Sequence, residues 1–410
     1  MSPGTPGVAR LRTPALSVLA GAATALAFPP FGLLPGLLGY ALLMGLWDAR
    51  PPVRPLRSAF WRGWLAGTAF FLISTWWVAE AFYVDAKDQG WMAPIAVALL
   101  ALGLGLFWGA AGALYAWARA RTGQDPSGAW RPIVFAGCFC LFEWLRGHVL
   151  TGFPWDLAGE TWRAGSAPSQ AASVVGAYGL GWITVAACAA PALLWRGPLW
   201  PGPRRRADWI AVGLAALSVA GLYGYGVIRL AHPAPTLATA PWVRVVQADV
   251  DQESKYDEAL FRSILDRYTR LTAQPPSSPS RRVPDIVIWP EGAIPDAVND
   301  YLAPDTWTRA AITGALRPGQ TLLVGGYRLS GQGDQPKAYN SLLALRAKDG
   351  GLAMTGLYDK FRLVPFGEYL PAETLLAPLG FKKLVHVADG FDAGPPIREP
   401  WRTKPGNRLS

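Results

Sequence analysis

The chain has 410 residues, 51% of them hydrophobic, with a formal net charge of +10. Its 20 tryptophans are more than a soluble domain carries, and they suit an amphipathic ring half-wetted at a membrane interface. The basic excess does not point to nucleic acid, because the arginines gather in short loops between apolar runs and no zinc-finger, Walker or dinucleotide fingerprint is present.

Taken in chain order, residues 1–240 are dense in Ala, Leu, Gly and Trp, with charge confined to short clusters. A helix needs roughly 20 apolar residues to cross a bilayer. Seven such runs are predicted, near 13–29, 31–48, 60–83, 91–118, 130–149, 171–195 and 208–230. The first two are parted by Pro29-Pro30 and should form a tight hairpin. Arg10 and Arg12 ahead of the first run resemble a signal-peptide flank, but further spans follow at once, so we read a retained helix.

The connections alternate in charge. Arg50, Arg54, Arg57 and Arg62 flank the second, Arg119, Arg121 and Arg131 the fourth, and Arg196 with Arg204–Arg206 the sixth. The odd-numbered connections carry no basic excess: the third is acidic (Asp85, Lys87, Asp88), and the fifth holds Asp156, Glu160 and Arg163. This pattern predicts a cytoplasmic N-terminus and a second half on the far side of the membrane. Glu143 and Arg146 sit one turn apart near the outer end of the fifth run, where they are expected to pair and neutralise each other at the interface. Cys138, Cys140 and Cys188 all lie in apolar segments and give no disulfide framework. His148, His232 and His386 lack metal-ligand spacing, so no metal or cofactor is expected.

Residues 241–410 change pattern. Strands are predicted at Val243–Ala248, Asp285–Trp289, Thr321–Gly326, Asn340–Leu345 and Met354–Asp359. Helices are predicted at Tyr256–Ala273, where Leu260, Ile264, Tyr268 and Leu271 share a face, and at Trp307–Leu316. The Pro/Ser-rich stretch 274–282 reads as a loop. Alternating strands and helices imply a layered α/β domain with ligands bound where strands end.

Two segments carry chemistry. Trp289-Pro290-Glu291 ends a strand, and Lys360 ends another, followed by Leu363-Val364-Pro365-Phe366-Gly367-Glu368. A glutamate at a strand end and a lysine about seventy residues later are two-thirds of a Glu-Lys-Cys amidase-type site. With Thr151-Gly152-Phe153-Pro154-Trp155, Val246-Gln247-Ala248-Asp249 and Tyr339-Asn340-Ser341 in this order, the chain resembles the apolipoprotein N-acyltransferases, membrane members of the carbon–nitrogen hydrolase (nitrilase) superfamily. The resemblance runs from the first apolar run to about Pro396.

That resemblance implies a multi-span α-helical membrane bundle of about seven helices over 1–240 and a partial carbon–nitrogen hydrolase domain over 241–410, an α/β domain of the αββα nitrilase-like sandwich type. It implies a multi-pass protein of the bacterial inner membrane with the catalytic domain in the periplasm. The reaction is transfer of an acyl chain from a phospholipid to the N-terminal diacylglyceryl-cysteine of an apolipoprotein. By resemblance Glu291 is the general base, Lys360 the oxyanion cation and Glu368 a supporting acid.

The family's nucleophile lies in an Ile-Cys-Tyr-Glu type strand. Here the chain keeps to pattern through Gly390–Pro396 and then turns basic and proline-containing, with no cysteine after Cys188 and no predicted strand to Ser410. The expectation is a domain incomplete at its C-terminus, with no nucleophile in this chain and no activity as written. Two other readings stay open: a membrane-tethered amidase or nitrilase, and a non-catalytic membrane scaffold. A transporter should show symmetry between halves and mid-span ionisable groups, and neither is clear.

Overall fold

The computed structural model describes residues 6–49, 54–83, 86–121, 130–195, 204–251, 258–276, 278, 282–293, 296–331, 336–348, 350–365, 367–370, 390–396, 401–404 and 407–409. It divides into two units, Met1–Ala234 and Pro235–Ser410.

The first unit is helical. We label its main helices α1 (Pro6–Ala25), α2 (Leu38–Asp48), α3 (Pro55–Ser74), α4 (Ala93–Arg121), α5 (Arg131–Arg146), α6 (Ala172–Ala189) and α7 (Arg206–Ala231). Each overlaps one of the seven predicted runs. By length and composition, three continuous helical stretches of described residues suffice to cross a membrane: Ala86–Arg121, Pro168–Leu194 and Arg206–Ala231. A fourth arises if α3 and the following Trp76–Tyr83, bent by 58° at the break, count as one span. The bend has a local cause: Thr75 leaves helical geometry, and its Oγ1 donates to the Phe71 carbonyl at 2.6 Å beside the bond from its own N–H, a back-bond of the kind that bends helices.

Glycines let α3 and α4 approach closely. A Cβ on Gly63 would stand 2.4 Å from the Trp108 carbonyl oxygen, one on Gly105 2.7 Å from Thr68 Oγ1, and one on Gly112 2.6 Å from the Ala59 carbonyl oxygen. Helices gain little from hydrophobicity inside lipid, so small residues at a seam raise dispersion contact instead. Trp108 fills the centre of the bundle, stacked on Phe70 at 4.8 Å and edge-on to Phe139. Glu143 and Arg146 do form an ion pair, and both are buried inside the unit. Trp108 Nε1 donates to Glu143 at 3.1 Å, and Arg146 Nη1 donates to the carbonyls of Phe153 (2.5 Å) and Trp155 (2.8 Å). Such further bonds offset the cost of burying a charged pair, although Arg146 Nε has no hydrogen-bond partner among the described residues.

The second unit is a mixed five-stranded sheet in the order β1 (Val243–Val245), β2 (Ile286–Ile288), β3 (Thr321–Ser330), β4 (Lys337–Lys348) and β5 (Gly351–Asp359). The first three strands run parallel and the last three antiparallel. Helices α8 (Phe261–Ala273) and α10 (Trp307–Ala315), with the single turn α9 (Val298–Tyr301) between them, supply the helical part. Ile264, Leu265 and Tyr268 of α8 and Ile312 of α10 pack with Val287, Leu322, Val324, Leu343 and Leu345 in one core. Arg244 of β1 holds the end of α8, donating to the carbonyls of Thr272 (2.7 Å) and Gln274 (2.6 Å), acceptors that a helix C-terminus leaves unpaired. Residues 252–257, at the predicted start of α8, lie outside the described residues.

One expectation is overturned. The tail predicted to hold no strand forms β6 (Trp401–Lys404) and β7 (Asn407–Leu409), paired antiparallel. Pro405-Gly406 stands between them in sequence, and a Pro-Gly pair punctuates a hairpin as readily as it ends a strand.

Candidate active site

The three residues singled out in sequence converge at one end of the β2–β5 sheet. Glu291 follows β2 directly. Its approach is anchored by Trp289, which is buried, continues the ladder through its N–H to the Leu323 carbonyl (2.8 Å) and donates Nε1 to Thr272 Oγ1 (2.8 Å). Gly325 of β3 is required beneath it, because a Cβ there would stand 2.7 Å from Glu291 Cα. Lys360 is the first residue after β5, and its N–H donates to the Asn340 carbonyl at 2.7 Å, continuing the β4–β5 ladder by one residue.

Glu368 arrives from a loop. Its carboxylate accepts from the Val364 N–H at 2.7 Å, and its own N–H donates to the Val364 carbonyl at 2.9 Å, so the Val364–Glu368 turn closes on itself. Phe366, inside that turn, lies outside the described residues. The stretch Gly390–Gly394 then straps the site. The Phe391 N–H donates to the Glu368 carbonyl (2.7 Å) and the Gly394 N–H to the Lys360 carbonyl (2.9 Å). A Cβ on Gly394 would fall 2.2 Å from the Asp359 carbonyl oxygen, so the strap needs glycine there.

The side chains form a closed polar figure. Lys360 Nζ lies 2.9 Å from Glu368 Oε1 and 3.4 Å from Glu291 Oε1. Asn340 Nδ2 donates to the same two oxygens, at 2.5 Å to Glu368 and closely to Glu291. The carboxylates differ in setting: the side chain of Glu291 is 64% exposed and that of Glu368 only 10%. Glu291 is therefore open to a reacting group while Glu368 is held in place. Burial by itself lowers the Lys360 pKa, but the hydrogen bond that its ammonium donates to Glu368 and the charges of Glu291 and Glu368 outweigh it and raise it above the ordinary lysine value. Lys360 thus stays a cation throughout the neutral range.

A second cluster braces this one. Arg328 of β3 grips Asp359 with Nε at 2.9 Å and Nη2 at 2.6 Å, Ser341 Oγ adds a bond at 2.7 Å, and the guanidinium lies over the Tyr339 ring at 4.6 Å. Burial raises the Asp359 pKa, but these hydrogen bonds and the arginine charge leave it below the usual aspartate value. Asp359 precedes Lys360, so the bidentate grip fixes the strand end that presents the cation.

Asn340, Arg328 and Ser341 were not expected in these roles. Tyr339-Asn340-Ser341 stands out as a motif, but the use of Asn340 depends on strand register: Ser341 pairs with Asp359, which sets Asn340 beside Lys360. Among the described residues no group of three or more His, Cys, Asp or Glu side chains is placed to hold a metal ion. Cys138, Cys140 and Cys188 all lie in helices of the first unit.

A family model described as the apolipoprotein N-acyltransferase N-terminal domain matches residues 20–190. A curated apolipoprotein N-acyltransferase from Caulobacter vibrioides is 56% identical over 383 residues, covering 93% of this chain and 69% of the relative. Relatives of the same name from Rhizobium rhizogenes and Brucella melitensis are 38% and 35% identical over 391 and 390 residues, each with 92% of this chain and 69% of the relative covered. The profile match covers the helical half and the identities extend through the half that carries Glu291, Lys360 and Glu368, so the chain belongs to the apolipoprotein N-acyltransferase family of membrane acyltransferases.

Proposed function

We propose that this chain provides the base and the oxyanion cation for phospholipid-dependent N-acylation of the N-terminal diacylglyceryl-cysteine of apolipoproteins, through a Glu-Lys-Cys thioester mechanism. The observation that carries the reading is the meeting of Glu291, Lys360 and Glu368 at one sheet end, with the exposed carboxylate and the buried one on the same ammonium. In the first half-reaction Glu291 takes the proton of a cysteine thiol, and the thiolate attacks the phospholipid ester carbonyl. Lys360 faces the negative oxygen of the tetrahedral intermediate. Collapse breaks the ester C–O bond, and the leaving lysophospholipid oxygen takes the proton back from Glu291. In the second half-reaction the lipoprotein amine attacks the thioester, Glu291 accepts its proton, and the thiolate leaves.

Electrostatics favours this division of labour. With both carboxylates ionised, Lys360 is shared between two anions. When Glu291 takes the thiol proton its hold on the ammonium weakens just as the oxyanion forms. Glu368 keeps the lysine positioned meanwhile. No residue of 241–410 is a cysteine, so the reading assigns the thiol to none of these 410 residues, and the 410-residue polypeptide alone is expected to form no acyl thioester.

The same reading places about seven helices across a bacterial inner membrane, the second unit in the periplasm, and its sheet in one half of an αββα nitrilase-like sandwich. The two substrates are a phospholipid donor and a diacylglyceryl apolipoprotein acceptor, both of which a membrane-borne site meets at the lipid surface. A chimera that joins these 410 residues to the part of the Caulobacter relative outside the aligned residues, expressed in a strain depleted of its own enzyme, tests it. Mass spectrometry of a lipoprotein N-terminus should show a third acyl chain, absent with Glu291→Gln. Lys360→Ala should cost on the order of 3 kcal/mol of transition-state stabilisation if it behaves like a removed oxyanion donor. Near-normal acylation in either variant would show the roles to be wrongly assigned.

A further inference from the structure

A cavity of about 560 Å³ in the first unit lies between α1 and the start of α3, and the acyl-transfer reading leaves it unused. Its lining includes Arg54, Arg57, Ser58, Trp61, Arg62 and Leu65, with no carboxylate among the lining residues. Arginines at helix ends are ordinary topology signals. These three differ in surrounding one cavity that also has an apolar wall.

The spacing explains the arrangement. Residues 54, 57, 58, 61, 62 and 65 recur at three- and four-residue intervals, so they share one face of α3 and its entry. The guanidinium end lies at the helix start, and Trp61 and Leu65 continue the same face inward. Among the described residues Arg54 and Arg57 have no ion-pair partner, and both are exposed. Arg62 is half-buried and fixed by a hydrogen bond from Nη1 to the Leu46 carbonyl. Trp61 is 46% exposed and braced edge-on against Trp64 at 5.2 Å, whose own Nε1 is tied to the Leu102 carbonyl at 3.0 Å. Farther along the same helix Leu72 is also exposed, as are Val18 and Leu19 on α1.

A charged mouth that gives way along one helix face to exposed aromatic and aliphatic side chains matches an anionic amphiphile. Guanidinium groups bind phosphate oxygens in bidentate fashion, and basic pockets between membrane helices take anionic headgroups. We propose that this cavity is a headgroup site for an anionic phospholipid, with the phosphodiester held by Arg54, Arg57 and Arg62 and an acyl chain lying along Trp61 and Leu65. The lipid is a resident ligand, not the acyl donor. The inference rests on the first unit lying in a bilayer and does not depend on the acyl-transfer roles of Glu291 and Lys360.

The full chain, extracted in detergent and stripped of lipid, is titrated with palmitoyl-oleoyl phosphatidylglycerol, with the matching phosphatidylcholine, and with inorganic phosphate as competitor, and bound lipid is counted by native mass spectrometry. Phosphatidylglycerol should bind more tightly than phosphatidylcholine, and its affinity should fall as salt rises. Arg54→Gln with Arg57→Gln should weaken it about tenfold or more. Arg121→Gln with Arg163→Gln, which changes net charge equally, should leave it unchanged. A photoactivatable phosphatidylglycerol on the wild-type chain should label the peptide around Trp61, a readout that needs no variant to fold. Equal binding of the two lipids, equal loss in the control pair, displacement by millimolar phosphate alone, or labelling confined to α7 would each overturn the proposal. A chain that stays soluble without detergent would instead remove the membrane premise, whatever the acyl-transfer result.

Discussion

Asn340 is the residue whose substitution separates position from chemistry. Its Nδ2 spends both hydrogens, one on Glu291 and one on Glu368. Hydrogen bonds to charged groups contribute about 1.5–3 kcal/mol each, so losing the pair leaves Glu291 free to swing away from Lys360. In the chimera, Asn340→Ala should slow acyl-enzyme formation about tenfold to a hundredfold, a cost of one such bond, with little change in substrate KM. A changed KM with an unchanged acylation rate would make Asn340 a substrate contact and not a positioning residue. Asp359 makes a pH-dependent prediction. Its pKa is depressed in the fold, so the unfolded chain binds more protons in the acid range. The stability that it contributes is present above the unfolded aspartate value, about 3.9, and is lost as pH falls through the lower folded value. Arg328→Met should therefore lower the unfolding midpoint of the second unit at pH 7, and the gap to wild type should close in acid. A gap that persists at low pH would mean that Arg328 acts through packing on Tyr339. Glu291 and Lys360 are legible in sequence because each sits in a short dense motif at the end of an apolar strand. Asn340 and Arg328 are not, since their use depends on which strands pair and in what register.

At the scale of elements, the seam between α3 and α4 depends on glycine. Gly63→Ala would drive a Cβ into the Trp108 backbone, whereas Gly103, on the same helix as Trp108, has nothing within 4 Å of its added Cβ. Overpacking costs about 1–3 kcal/mol, while Ala replaces Gly in an open helical site with a gain of up to about 1 kcal/mol. Thermal unfolding in detergent should show Gly63→Ala well below wild type and Gly103→Ala at or above it. Equal midpoints would mean that the two helices do not pack as described. Periodicity in the sequence finds the helices, yet it misses this seam, because a glycine reads the same whether it faces lipid or a neighbouring backbone. Strand lengths fail for a related reason. β3, β4 and β5 extend past their apolar cores, to Ser330, Lys348 and Gly351, because antiparallel pairing satisfies backbone groups even where side chains are polar. β1 stops at Val245, shorter than its apolar run, where pairing with β2 ends.

At the scale of the molecule, the charge alternation in sequence meets a physical counterpart inside the first unit. Asp48 at the end of α2 binds Arg119 at the end of α4 (3.0 Å) and Arg131 at the start of α5 (2.9 Å), and Tyr115 adds a hydrogen bond at 2.9 Å. Arg62, near the start of α3, donates to the Leu46 carbonyl close by in α2. The helix ends that flank the second and fourth connections are thereby drawn together, as they must be if basic loops share one side of a membrane. The end of α5 carries the other polar knot, where Arg146 holds the Phe153 and Trp155 carbonyls of the fifth connection. Continued alternation of the connections predicts Arg206, at the start of α7, on the basic side and Arg229, near its end, on the opposite side. Alkaline phosphatase folds to an active enzyme only where disulfides form, outside the cytoplasm. Fused after Arg229 it should be active, and fused after Arg206 it should be inactive. The reverse pattern would put Glu291 and Lys360 on the cytoplasmic side. A lipoprotein whose amino group is exposed across the membrane would then be out of their reach, and the acyl-transfer reading would fail with the topology.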